Sequence, residues 1–200
     1  MFCITPLNFG LAILASHATV LYAGEQYLDA SFSVFLFALR SIPWAMALIL
    51  ENQIIFVQGY ENKLTMFYFI GGGLNLVLNS ILATVGITKP EWYILTTIVA
   101  ELLVIVLDIL LINKNKLIDL RKLFIHAGKY VLYSSGFFII YGLISWIRPI
   151  EMVVNGALLI NIFVTIVSCV IYYVVVLALV KDEIFYDVIN AVKNKVLKRG

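Results

Sequence analysis

Charged residues are scarce in this 200-residue sequence: they make up 13% of the chain, whereas hydrophobic residues make up 62%. In soluble globular domains about a quarter of the residues are charged. A water-soluble chain of this composition would leave much of its apolar surface in contact with water, which is unfavourable. The composition therefore excludes a soluble domain and predicts an integral membrane protein.

Cysteine and histidine are also rare, with two of each. Cys3 and Cys169 lie in separate apolar runs, so they form neither a disulfide framework nor a metal-binding motif. His17 and His126 are far apart, and the chain has no H-E-x-x-H motif, no carboxylate cluster in a loop and no phosphate-binding loop. We therefore expect no enzyme activity, no metal site, no cofactor and no nucleic-acid partner.

Six apolar segments are long enough to cross a hydrocarbon core of about 30 Å, which takes roughly 20 helical residues. They are too long for strands and lack the period-two alternation of a membrane barrel. The first is not a typical signal peptide, because no Lys or Arg precedes Arg40. We call them segments A to F: 2–23, 30–57, 64–86, 92–112, 124–147 and 152–180. The predicted fold is all-α, with a six-helix transmembrane bundle over residues 1–180.

Lysine and arginine near the segment ends predict the orientation, because cytoplasmic loops are enriched in them. One side of the predicted bundle has ten of these residues, and the other has only Lys89 and Arg148. The ten are Lys63, Lys114, Lys116, Arg121, Lys122, Lys181, Lys193, Lys195, Lys198 and Arg199. We expect both chain ends to lie in the cytoplasm, with the protein in the inner (plasma) membrane.

The tail, residues 181–200, differs from the rest because its apolar residues recur at helical spacing on one face. These residues are Ile184, Phe185, Val188, Ile189, Val192 and Val196. The end of the tail is basic, with Lys193, Lys195, Lys198 and Arg199. This pattern predicts an amphipathic helix on the anionic lipids of the inner leaflet, and it leaves a partner-binding role open.

Five charged residues fall inside the predicted spans: Arg40, Glu51, Glu101, Asp108 and Lys129. A charge at the bilayer centre costs about 2.5–3.5 kcal/mol on insertion scales, so each is a candidate functional residue. Lys129 is near the inner start of segment E, where we expect its side chain to extend to the interface. Asp108, near the inner end of segment D, is expected to reach the interface too.

Helical spacing places polar residues on single faces of three segments. Arg40 and Glu51 share a face of segment B, and Glu101 and Asp108 share one of segment D. Asn75 and Asn79 likewise share a face of segment C. Such faces indicate either hydrogen bonding between helices or the lining of a cavity. The cavity-lining candidates are Arg40, Glu51, Asn75, Asn79, Glu101 and Asp108.

Two further expectations concern segments B, C and D. Arg40 needs a counter-charge, either Glu101 or an anionic substrate, because Glu51 is about 16 Å away along the helix axis. Three consecutive glycines at residues 71–73 precede Asn75 and predict a close approach between helices.

The order of several motifs resembles the polysaccharide flippase family, which belongs to the same superfamily as the multidrug and toxin extrusion transporters and the lipid II flippase. The motifs are LNFGL at 7–11, YAGEQYLDA at 22–30, ENQIIFVQG at 51–59, NLVLN at 75–79, GI at 86–87 and TTIVAE at 96–101. One departure is TKPEW at 88–92, where the family has small residues at the start of segment D.

The resemblance implies a function and an incomplete transporter. It implies flipping of a polyprenyl-diphosphate-linked oligosaccharide for O-antigen, capsule or exopolysaccharide synthesis. Such transporters have two lobes, and this chain resembles only the C-terminal part, so we expect a missing N-terminal lobe and no transport by the chain alone. The alternatives are part of a multidrug exporter or a non-catalytic assembly subunit. We find no catalytic motif of a membrane-bound acyl- or glycosyltransferase in the sequence.

Overall fold

The computed structural model describes residues 1–147 and 152–197, with side chains up to residue 194. All regular elements in these ranges are helical, and they contain no strand. The α-helices are α1 (Ile4–Ile13), α2 (Ala15–Ala23), α3 (Ser31–Leu50), α4 (Glu61–Thr84), α5 (Pro90–Asn115), α6 (Leu120–Ile147), α7 (Gly156–Leu179) and α8 (Glu183–Leu197). A 3-10 turn, Glu25–Ala30, precedes α3, and a π turn, Glu51–Ile55, follows it.

The predicted fold class is confirmed, because the helices have the length and composition of membrane spans. Among the described residues, five helical stretches are long and apolar enough to cross a membrane. They correspond to segments B to F, and the count is six if α1 and α2 together form one span. The chain is therefore a multi-pass α-helical membrane protein.

Segment A departs from the predicted single helix. It divides at Leu14 into α1 and α2, whose axes differ by 71°. With ten residues, α1 is about 15 Å long, which is half of a hydrocarbon core. Both halves contact α3, but α1 also packs on α6, whereas α2 packs on the 3-10 turn. Apolar length alone predicted a straight span, and these separate contacts hold the chain in a bend instead.

A π turn that the sequence pattern did not predict directly follows α3. The Phe56 N–H donates to the Glu51 carbonyl at 2.8 Å, a bond over five residues instead of four. Such a turn inserts one extra residue into a helix and is frequent at functional sites. It begins at Glu51, one of the candidate residues.

Two apolar clusters hold the bundle together. One joins α1, α6 and α7 through Phe9, Tyr130, Phe137, Tyr173 and Leu177. The other joins the C-terminal ends of α3 and α5 and the starts of α4 and α6, and its fully buried members include Leu50, Ile55 and Ile112. The candidate residues lie between α3, α4 and α5, just outside this second cluster.

The glycines at 71–73 have different environments. A Cβ atom added to Gly71 would lie 2.5 Å from Val104 Cγ2 on α5, whereas the same atom on Gly72 or Gly73 would meet nothing within 4 Å. The expected close approach is therefore confirmed at Gly71 alone. It brings α4 against α5 beside the candidate residues.

The predicted tail helix is α8, described as far as Leu197. Its apolar side chains Ile184, Val188 and Val192 are 44–57% exposed, so the rest of the protein leaves this face uncovered. Lys193 is on the helix, and Lys195 is too, although its side chain lies outside the described set, as do Lys198 and Arg199 entirely.

Candidate functional site

A cavity of about 290 Å³ lies between α3, α4 and α5, within the membrane-spanning part of the chain. Three of the six candidate residues line it: Glu51, Asn75 and Glu101. The aromatic side chains Trp44 and Tyr68 form part of the same wall. A polar side chain within a membrane span is costly when it faces lipid. These three residues instead face one common cavity.

Arg40 pairs with Glu101, which was one of its two predicted partners. Its Nε donates to Glu101 Oε2 at 2.8 Å, and its Nη2 donates to Oε1 of the same carboxylate. The two side chains are 24% and 25% exposed. A bidentate arginine–carboxylate pair is strong and directional, and it neutralises two charges that would each be costly in a bilayer. The guanidinium also lies 5.5 Å from the centre of the Phe37 ring.

A second pocket, of about 410 Å³, lies on the other side of this ion pair, towards the start of α3 and α5. Arg40 and Phe37 line it, together with Tyr93 on α5. Thr97 lines both this pocket and the cavity that contains Glu101. The Arg40–Glu101 pair therefore separates the two spaces, with one partner facing each.

Glu51 and Asp108 are buried without an ion-pair partner among the described residues. Glu51 is 4% exposed, and Tyr68 Oη donates to its Oε2 at 2.5 Å. Asp108 is fully buried, and neither of its carboxylate oxygens has a hydrogen-bond partner. The expectation that Asp108 reaches the membrane interface is wrong, because the packing of α5 against its neighbours at this level encloses it.

The two asparagines of α4 both face α5. Asn79 Oδ1 accepts a hydrogen bond from Thr96 Oγ1 at 2.6 Å. Asn75 lines the cavity, and its Oδ1 has no partner although the atom is buried. Asn79 therefore joins two helices, whereas Asn75 Oδ1 is a buried acceptor in the cavity wall without a partner among the described residues.

Lys129, which we expect to extend to the interface, is bonded to Asp182, the residue directly before α8. Its Nζ donates to Asp182 Oδ2 at 2.8 Å, and Tyr130 Oη lies 3.1 Å from the same oxygen. Asp182 also accepts the Phe185 backbone N–H at 3.1 Å, which is the N-cap bond of α8. The Asp182 side chain is fully enclosed, so the ammonium group of Lys129 compensates a carboxylate charge that water does not reach.

The same contacts determine the charge of Asp182. Burial by itself raises its pKa, but the hydrogen bonds from Lys129, the Phe185 backbone and Tyr130 outweigh this effect and hold the pKa below its usual value. The Asp182 carboxylate is therefore ionised at ordinary pH as long as these contacts are formed.

Sequence reasoning missed Tyr68, Thr96 and Asp182. Nothing in the spacing of Tyr68 or Thr96 indicates that they bond to Glu51 and Asn79 across helices. Asp182 had a signal, because an aspartate directly before an amphipathic helix is typical of an N-cap. No group of three or more His, Cys, Asp or Glu side chains suitable for a metal ion occurs within residues 1–147 and 152–197.

The fold and the site define a multi-pass membrane protein with a cavity between three of its spans, which three of the candidate residues line. Comparison with protein-family models, with curated proteins and with solved structures found no match.

Proposed function

We propose that this chain is the C-terminal lobe of a flippase that moves a polyprenyl-diphosphate-linked oligosaccharide from the cytoplasmic to the outer leaflet of a bacterial cell membrane. The supporting observation is the cavity between α3, α4 and α5, which is lined by Glu51, Asn75 and Glu101. In a bundle with only a structural role, an acceptor such as Asn75 Oδ1, buried without a partner among the described residues, would only cost free energy.

The chemistry of the lining suits parts of such a substrate. A diphosphate matches a guanidinium through bidentate hydrogen bonds, and Arg40 lines the second pocket. Sugar hydroxyls pair with amide and carboxylate acceptors such as Asn75 Oδ1, which lacks a partner in the described structure. In this arrangement the diphosphate competes with Glu101 for Arg40, so binding and breaking of the ion pair are coupled.

The size of the cavity supports a second lobe. At about 290 Å³, it is at the lower limit of small-molecule pockets, which span roughly 300–1,000 Å³. An oligosaccharide unit needs more space, which a facing lobe would supply by forming the opposite wall. We therefore propose that the chain acts with an N-terminal lobe that it does not itself contain.

A multidrug exporter of the same superfamily is a second candidate. The carboxylates Glu51 and Glu101 line the cavity together with the aromatic rings of Trp44 and Tyr68. Carboxylates and aromatic faces also suit lipophilic cations. A third candidate, a non-catalytic assembly subunit, has no specific observation in its favour.

Photo-crosslinking tests the substrate class. A photoreactive phenylalanine analogue replaces Asn75 in the cavity, and a matched control carries it at Leu76, which is 69% exposed. We expect a labelled polyprenyl-diphosphate disaccharide to crosslink at position 75 and to be displaced by the unlabelled lipid. Equal crosslinking at both positions would refute the proposed site, and displacement only by lipophilic cations would favour the exporter.

Complementation tests the two-lobe proposal. The chain alone is expected not to restore surface polysaccharide in a flippase-null strain, whereas co-expression with an N-terminal lobe is expected to restore it. Membrane abundance is measured in parallel by immunoblot. Restoration by the chain alone would show that one lobe suffices and would contradict this part of the proposal.

A further inference from the structure

The helix α8 has an apolar stripe that the other described residues leave uncovered. Ile184, Val188 and Val192 follow one another at intervals of four residues, so they lie on one side of the helix. Their side chains are 44%, 48% and 57% exposed. The sequence leaves two occupants open for this stripe, which are anionic lipid and a partner protein.

The first turn of α8 is fixed to the bundle. Phe185 packs against the apolar cluster of α1, α6 and α7. Asp182 accepts the Phe185 backbone N–H and is bonded to Lys129 and Tyr130 of α6. Because α8 has 15 residues, it extends about 22 Å from this fixed start.

This start lies where a membrane span ends. The span α7 has 24 residues and ends at Leu179, and α8 begins four residues later. In the turn between the two helices, Lys181 has a φ of 54°, and the Asp182 N–H donates to the Leu177 carbonyl at 3.0 Å. This bond is typical of the Schellman motif, which ends a helix and redirects the chain. The uncovered stripe therefore begins next to the lipid that surrounds α7.

The lysines near the end of α8 are placed as on a membrane-surface helix. Helical spacing puts Lys193 and Lys195 about 80° to either side of Phe185, so these positions flank Val188 and Val192. From the borders of an apolar face, lysine side chains extend to lipid headgroups while the apolar side chains enter the interface.

The acidic residues of α8 lie on its other side. Glu183 and Asp187 are each about 160° from Phe185 around the helix, and both are exposed. The apolar stripe can therefore meet a negatively charged surface without repulsion between like charges, while the acidic side chains stay in water. This charge complementarity and the position at the end of a span favour anionic lipid over a partner protein.

We propose that α8 lies along the membrane surface, with Ile184, Val188 and Val192 inserted between lipids and the flanking lysines bound to the headgroups of anionic phospholipids. This role goes beyond the proposed transport function and does not depend on it. It follows from the position, the exposure and the charges of α8.

Fluorescence quenching of the full chain in liposomes tests the proposal. In a Cys-free variant, Val188→Cys carries an environment-sensitive fluorophore, and the matched control carries it at Asp187→Cys, an exposed position on the opposite face of the same turn. The vesicles contain phosphatidylglycerol and a lipid with a nitroxide on its acyl chain. We expect the probe at position 188 to show a blue-shifted emission and to be quenched by the nitroxide lipid. The probe at position 187 should be quenched by aqueous iodide instead.

A second comparison tests the charge of the lipid. In vesicles of phosphatidylcholine and the same nitroxide lipid, we expect the quenching at position 188 to fall. We expect Lys193→Gln/Lys195→Gln to cause the same loss in vesicles that contain phosphatidylglycerol. Lys89→Gln is the control, because Lys89 is exposed directly before α5, and it should have no effect.

Three results would overturn the proposal. One is equal quenching by the nitroxide lipid at positions 187 and 188. Another is unchanged quenching at position 188 when phosphatidylglycerol is left out. The third is ready disulfide formation between two copies through the unlabelled cysteine at position 188 in dilute proteoliposomes, which would show that a second copy covers the stripe.

Discussion

The ion pair of Arg40 and Glu101 is the main polar contact between α3 and α5 among the described residues. Removing one partner leaves the other charge partly buried without compensation, which typically costs about 2–5 kcal/mol. We therefore expect Arg40→Ala and Glu101→Ala each to lower membrane abundance and resistance to unfolding in mixed micelles by a similar amount.

The double variant Arg40→Ala/Glu101→Ala shows whether the pair acts as a unit. It removes both charges, so it should unfold less readily than either single variant. Arg40→Lys keeps the charge but loses the bidentate geometry, and it should be intermediate. Normal abundance of Arg40→Ala would contradict a structural role for the pair.

At the scale of the elements, the contact of α4 with α5 depends on Gly71. In Gly71→Ala the new Cβ would meet Val104 Cγ2 at 2.5 Å and the Ala100 carbonyl at 3.4 Å. Overpacking of this kind costs about 1–3 kcal/mol, so unfolding in mixed micelles should become easier. Gly73→Ala is the control: nothing lies within 4 Å of its Cβ, and alanine favours helix.

A compensating change makes this prediction specific. Val104→Ala removes the methyl group that Gly71→Ala would strike, so the double variant should recover part of the lost stability. If Gly71→Ala and Gly73→Ala behave alike, the close approach of the two helices is not important for stability.

The start of α8 depends on Asp182, which joins the tail to α6. Asp182→Ala removes the N-cap bond and the partner of Lys129, and loss of the cap alone costs about 1 kcal/mol. We expect faster hydrogen exchange in α8 and faster tryptic cleavage at Lys193. Asp187→Ala, at an exposed position of the same helix, is the control.

The same contact has a defined pH dependence. Since the pKa of Asp182 is lower in the folded protein than its usual value of 3.8, its stabilisation is fully present above that value. It is lost as the pH falls through the lower folded pKa. Hydrogen exchange in α8, corrected for its intrinsic pH dependence, should therefore be constant near neutral pH and increase only below about pH 4. An increase already at pH 6 would contradict this assignment.

How far the sequence predicted these elements depends on the kind of signal. Apolar length predicted the spans that became α3 to α7. Helical spacing identified Glu51, Asn75 and Glu101 as candidates, and these three residues line one cavity. The bend at Leu14 and the π turn at Glu51 have no composition signal, because tertiary contacts decide them. The burial of Asp108 was missed because distance from a span end does not reveal which neighbours enclose a side chain.

At the scale of the whole molecule, the orientation in the membrane remains a prediction. The loop 113–123 and the tail 181–200 hold nine of the fourteen Lys and Arg residues, so both should face the cytoplasm. Single cysteines at Asn115 and Asn190 of a Cys-free variant should resist an impermeant thiol reagent in intact cells. A cysteine at exposed Gln26 should be labelled readily. Labelling of the cysteines at positions 115 and 190 would contradict the predicted topology.

The pairing of Arg40 with Glu101 also has an electrical consequence. A unit charge that crosses 100 mV changes its energy by about 2.3 kcal/mol, but a neutral pair that moves together gains and loses nothing. Voltage acts on the pair only when its members separate along the membrane normal. As long as the ion pair between the two pockets is closed, the membrane potential does no net work on it, and a movement that separates its members along the membrane normal becomes voltage-dependent.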